Sequence, residues 1–279
     1  MSKKALIIQG GGFRTGFSAG VLDVFLEKKH VDFDIYAGSS GGAIALSYFL
    51  GNQPRSCFVA MCFMAQDPQF MSYYRMTSDV GIMDVDYLEE VANEVIPFDL
   101  DHALSFIRNK EIGIVLTDIE NGKAAYHKPN REDWLQAVIA SCTLPFVTKG
   151  KHELNGRMYM DGGWADPLPV QWAVEKGASD LLVIRTLPPT LKLAQTWTDY
   201  FGSIYHSSSD GLKRIFAESH TIYNNSIDYM ENPPDGIYIH QIAPEVPLTA
   251  GTYSNNVNSI TKDYFLGREM ALAYLNELS

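Results

Sequence analysis

The chain has 279 residues, 46% of them hydrophobic and 20% charged, a composition that excludes a disordered or fibrous protein. Its 22 basic and 33 acidic side chains leave a net charge of −11, which repels phosphate backbones and argues against general nucleic-acid binding. Three cysteines, Cys57, Cys62 and Cys142, make no disulfide framework and point to a reducing compartment.

The opening Ser2-Lys3-Lys4 is basic, but the apolar run after it, Ala5 to Ile8, is too short for a signal-peptide core. No apolar stretch approaches the roughly 18 residues of a spanning helix. A cytoplasmic protein is expected, with any membrane contact peripheral. The length allows two domains, yet no repeat or linker divides the chain. One domain over 1–279 is expected, with a core over about 5–190 and a C-terminal helical and strand extension over about 191–279 packed on it.

Ala5–Gln9 ends in glycines and is followed by Phe17, Val21, Val24 and Phe25 at helical spacing, which reads as strand, turn, helix. Asp34–Ala37 repeats the pattern, ending at Gly38 before the helix-like Ala43–Leu50. Two such units predict a parallel sheet with helices on its faces. Helices are predicted at 54–65, 84–95 and 101–109, then a strand over Ile112–Ile119. Asn121-Gly122 before Ala124–His127 predicts a hairpin. An amphipathic helix follows over Glu132–Ala140, then strands at Met158–Met160 and Leu181–Thr186. Long helical patterns at about 209–231 and 256–278 flank an alternating strand over Ile237–Ile242.

Gly38-Ser39-Ser40-Gly41-Gly42 matches Gly-x-Ser-x-Gly between a predicted strand and a predicted helix, the context a nucleophile elbow requires. Ser40 would stand at the strand's end, where the unpaired N–H groups of a helix N-terminus favour developing negative charge. A plain Gly/Ser turn is the competing reading. Gly10-Gly11-Gly12-Phe13-Arg14, at another strand end, would let backbone amides face a ligand, as an oxyanion hole or phosphate cradle does. A dinucleotide fingerprint counted from Gly10 fails at Thr15. A Walker A loop counted from Gly11 reaches Gly16 but continues Phe17-Ser18, without the lysine. Asp161-Gly162-Gly163 taken alone reads as a turn.

Together, the glycine loop with its arginine, the elbow, the segment Ala140-Ser141-Cys142-Thr143-Leu144-Pro145 and the later Asp-Gly-Gly resemble the patatin-like phospholipase family, in order and over essentially the whole chain. The resemblance implies a three-layer α/β/α sandwich around a mainly parallel sheet, and a Ser–Asp dyad that needs no metal or other cofactor. It makes Ser40 the nucleophile and Asp161 the proton acceptor, with backbone amides of Gly10, Gly11 and Gly12 forming the oxyanion hole. Gly38, Gly42, Gly162 and Gly163 complete the motifs, and Arg14 would shape the loop or meet a phosphate or carboxylate of the substrate. Gln9 and Thr15 depart from the usual pattern without removing a backbone donor.

The implied activity is hydrolysis of carboxylic esters of phospholipids or lysophospholipids through an acyl-serine. A thioesterase or small-ester carboxylesterase keeps that chemistry with another substrate. A non-catalytic nucleotide- or lipid-binding protein would use the glycine loop only as an anion cradle. An ordinary aspartate, with a pKa near 3.9, is a poor base for a serine hydroxyl. His206, His220 and His240 follow Asp161 in the order of a Ser, Asp, His triad and are the rival bases. Five of the ten methionines fall in 61–83, among Phe63, Phe70, Tyr73 and Tyr74, which suits a lid or a wall of an acyl pocket as well as plain core. No feature of the sequence fixes an oligomeric state.

Overall fold

The computed structural model describes residues 2–145, 147–194 and 210–278. Among the described residues, strand β1 (Lys3–Ile8) lies at the middle of an eight-stranded sheet, parallel to β2 (Ile35–Ser39) on one side and β7 (Ala178–Ile184) on the other. β3 (Glu111–Asp118) continues the parallel set beyond β2, and β8 (Tyr238–Ile242) continues it beyond β7. Pairing turns antiparallel at the far edge: β4 (Ala124–His127) and β6 (Arg157–Asp161) pair antiparallel with β3, and β5 (His152–Leu154) pairs antiparallel with β6.

The period of a strand explains the two cores. Leu6 and Ile8 of β1 point to one face, where they pack with α1 (Thr15–Glu27), α2 (Gly41–Leu50), α3 (Ser56–Gln66), the short α4 (Tyr87–Glu90), α5 (Leu100–Phe106), α6 (Trp134–Ser141) and α9 (Val257–Glu277). Ala5 and Ile7 point to the other, against Val170 and Trp172 of α7 (Val170–Glu175) and Tyr223 and Ile227 of α8 (Asp210–Glu231). Helices therefore cover both faces of a mainly parallel sheet, as the three-layer expectation states. A strand buried on both faces must be apolar, and the buried Ala5–Ile8 of β1 and Ile35–Ala37 of β2 are.

The hairpin at Asn121-Gly122 forms, with Gly122 at φ 65°. A second, unpredicted hairpin joins β5 to β6 through Asn155 and Gly156, at φ 52° and 78°. The helix expected over 84–95 instead begins at Tyr87 and widens to a π-helix over Val91–Val95. The chain ahead of it is held in an extended bridge between Met71 and Met83: Asp84 N–H donates to the Phe70 carbonyl at 2.8 Å and Met83 N–H to the Val147 carbonyl at 2.9 Å. Among the described residues, no helix is long and apolar enough to cross a membrane.

Candidate active site

Ser40 occupies the sharp turn from β2 into α2, with φ 54° and ψ −131°. That backbone is strained for any residue with a β-carbon, and such strain persists only where surrounding structure over-determines it. The bracing is visible. Ser40 N–H donates to Ser141 Oγ at 2.9 Å, and that buried hydroxyl donates in turn to the Val115 carbonyl at 2.7 Å. Gly42 lets α2 start directly behind the turn, because a β-carbon there would fall 2.4 Å from the Ile8 carbonyl oxygen. Gly38 lies in β2, one residue before Ser39, whose hydroxyl is buried without a partner.

Asp161 ends β6 and caps the 3-10 turn Gly162–Trp164, its Oδ1 accepting the Gly163 N–H at 2.8 Å. Its backbone is held on both sides, N–H to the Thr143 carbonyl at 2.7 Å and carbonyl from Thr117 Oγ1 at 2.8 Å. The side chain is buried, and Oδ2 has no partner at hydrogen-bond length. Burial raises the carboxyl pKa to about 7, although the nearby Ser40 hydroxyl and the Gly163 N–H both favour the ionised form. Cys142 lies against the same hydroxyl, and burial pushes its thiol far above the usual range.

Among the described residues, no hydrogen bond takes the N–H of Gly10, Gly11 or Gly12. Their carbonyls are what tie the loop down: Thr186 Oγ1 donates to the Gly10 carbonyl at 2.6 Å, and Arg14 Nε to the Gly11 carbonyl at 3.3 Å. Among the described residues, no carboxylate pairs with Arg14, and burial lowers its pKa.

Ser40 opens on two sides. One is a cleft of about 390 Å³ lined by Arg14, Asp161, Trp164, His220 and Tyr253 as well as Gly10 to Gly12. The other is a narrow apolar slot of about 40 Å³ walled by Met61, Met64, Phe70, Met83 and Leu88. Ile44, Met64 and Leu88 are shared with a further cavity of about 30 Å³ that ends at Tyr48, Phe98 and Leu135. The methionine-rich segment thus supplies wall residues, but Met71 is not among those lining the slot and Tyr74 is fully exposed.

The family model described as patatin-like phospholipase matches residues 6–174, more than half of the chain and the part that carries the glycine loop, Ser40 and Asp161. The chain belongs to the patatin-like phospholipase family. A second family model, described as a domain of unknown function (DUF6363), matches residues 210–279. The uncharacterized protein YjjU of Escherichia coli (strain K12) is 30% identical over 266 residues, covering 95% of this chain and 74% of YjjU. The crystal structure of VipD from Legionella pneumophila aligns with a TM-score of 0.47 and 11% identity, over 98% of this chain and 67% of that one.

The two departures from the patatin-like pattern have local explanations. Gln9 is buried, and its Oε1 accepts the Thr186 N–H at 3.0 Å, a bond an amide makes without the cost of burying a charge. Thr15 Oγ1 lies 2.2 Å from where a β-carbon on Gly41 would fall, so the glycine leaves room for it. Sequence reasoning named the segment 140–145 but not its work, which is to pin Ser40 through Ser141 and Asp161 through Thr143. Of the rival histidines, His206 lies outside the described residues. His240 sits on β8 beside Asp180 and Tyr274, away from the cleft. His220 lines the cleft, with Nδ1 buried and unbonded and Nε2 3.2 Å from Thr221 Oγ1.

Proposed function

We propose that the chain is a serine acyl hydrolase that cleaves carboxylic ester bonds of phospholipids or lysophospholipids with a Ser40–Asp161 dyad. The observation that carries this reading is the meeting of a strained Ser40 and a buried Asp161 with an unbonded Oδ2 at one cleft. Ser40 Oγ attacks the ester carbonyl while its proton passes to Asp161 Oδ2. The oxyanion is received by the free amides of Gly10 to Gly12, and α2 adds the positive end of its dipole. Asp161 then protonates the leaving alkoxide. In the second half it takes a proton from water as the acyl-serine is hydrolysed, and returns that proton to Ser40. A carboxyl that titrates near 7 serves both directions, since the best acid–base catalyst has a pKa near the working pH. An anion cradle without catalysis leaves the strained Ser40 and the buried carboxylate without a role.

The two openings assign the substrate's ends. The acyl chain enters the apolar slot, and the leaving group stays in the wider cleft with Arg14, Trp164 and His220. A slot of about 40 Å³ is narrower than a lipid chain, so Met61, Met64 and Met83 must shift, which their flexible thioethers allow. Peripheral contact with lipid aggregates is assigned to Tyr73, Tyr74 and Met76, exposed on the segment whose Tyr73 hydroxyl donates to the Tyr253 carbonyl at the cleft.

Mass spectrometry of phosphatidylcholine and lysophosphatidylcholine incubated with the protein tests the reading, which expects free fatty acid from at least one of them. No release from either, or from any simple ester, counts against it. Met64→Ala opens the neck between slot and inner cavity, and raises the ratio of kcat/KM for long-chain over short-chain esters by at least about tenfold, the lower end of the range for one methylene in an apolar pocket. An unchanged ratio places the chain elsewhere. His220→Asn and His240→Asn each keep hydrolysis within about tenfold. A larger loss in either assigns a histidine to the chemistry in place of the dyad.

A further inference from the structure

We infer that residues 210–279, the unit that matches a family of unknown function, complete the catalytic site, with Asp263 as the positioning residue that sets the glycine loop. The inference rests on the hydrolase reading above. Asp263 lies on α9 and is 1% exposed. Its Oδ1 accepts the Thr249 N–H at 2.9 Å and its Oδ2 the Ala250 N–H at 2.7 Å, so both oxygens are committed to one loop. Two residues on, the Thr252 carbonyl accepts the Phe13 N–H at 3.1 Å. The contact is close. Gly12 stands at φ 57°, and a β-carbon there would fall 2.1 Å from the Thr252 oxygen. Tyr253, the next residue, lines both the slot and the cleft.

These bonds are not what docks α9. Ile260, Tyr264 and Ala271 are buried in the core, Tyr264 OH donates to Asp23 Oδ2 at 2.7 Å, and Arg268 forks onto Glu27 at 2.8 and 2.9 Å. An apolar residue at 263 would pack without the desolvation that a buried carboxylate costs, so the carboxylate is explained by what it holds. A loop of three glycines has no side chains to anchor it. Its place is set by hydrogen bonds to its backbone, of which, among the described residues, Phe13 N–H to Thr252 is the one supplied from the C-terminal unit. Donors displaced by about 1 Å lose about a hundredfold in rate.

The test counts active sites by stoichiometric fluorophosphonate labelling and then measures kcat per labelled site on a simple ester. Asp263→Asn retains one acceptor and turns an N–H against the other donor. It is expected to label fully, to lose at least about tenfold in kcat per site and to leave KM within about twofold. Thr252→Gly keeps the carbonyl but frees the backbone that aims it, and is expected to give the same split. It decides the matter if the Asp263 variant does not fold. Fewer labelled sites with wild-type kcat at each, in the variants that fold, reduces Asp263 to a structural role and overturns the inference. A wild-type protein that takes no label at Ser40 overturns the hydrolase reading itself.

Discussion

Asp161→Asn is expected to lower kcat/KM for ester hydrolysis by more than about a thousandfold while making the protein more stable at neutral pH. The asparagine keeps an oxygen for the Gly163 N–H but cannot take the Ser40 proton. In the wild-type protein the acid limb of the kcat/KM profile should have its midpoint near pH 7, the value to which burial raises this carboxyl, with about a tenfold loss per unit further below it. The stability effect has the opposite sense. The folded-state pKa lies above the usual 3.8, so between about pH 4 and 7 the folded protein binds more protons than the unfolded chain. Stability from this group is full below about pH 4 and is lost as pH rises through 7. Over about three units, at about 1.4 kcal/mol each, the penalty above pH 7 is on the order of a few kcal/mol. The variant should therefore melt higher than wild type at pH 8, and the difference should vanish by about pH 4. A wild-type profile flat from pH 5 to 8, or a variant less stable at pH 8, contradicts this role for Asp161.

Ser40→Ala should lose activity to a comparable degree, beyond about a thousandfold, because no hydroxyl remains at the turn. Its fold should be unchanged, but alanine inherits the strained φ 54° and ψ −131°. Glycine does not, and Ser40→Gly is expected to be inactive and about 1 to 2 kcal/mol more stable than Ser40→Ala, as measured by denaturant titration. Equal stability of the two variants would mean the turn stores no strain. Residual hydrolysis above about a tenth of wild type in either would move the nucleophile elsewhere.

What could be read in advance followed a simple division. Features fixed by neighbours in sequence were legible: the strand–turn–helix around Ser40, the apolar Ala5–Ile8 of β1, the Asn121-Gly122 hairpin and the two long C-terminal helices. The Asn155-Gly156 hairpin carries the same local signal, but between strands of only three and five residues. Features made by distant partners left no such trace. Ser141 under Ser40 is a bond across 101 residues of chain, Thr143 reaches Asp161 across the β5–β6 hairpin, and Asp263 reaches the glycine loop only through the loop it holds at Thr249 and Ala250. The helix expected over 84–95 starts late, at Tyr87, for the same reason, since Met83 and Asp84 just before it are held by Val147 and Phe70. The answer to the difficulty of an aspartate base also lay beyond the sequence, because the burial that raises its pKa comes from packing around β6.

The central claim is that Ser40 is the nucleophile, and covalent labelling tests it most directly. Incubation with an alkyl fluorophosphonate followed by peptide mapping should give one phosphonyl adduct on the peptide containing Ser40, with parallel loss of esterase activity. The adduct should be absent from Ser40→Ala and slowed strongly in Asp161→Asn. Adduct on another residue, or full activity in an unlabelled protein, would contradict the account.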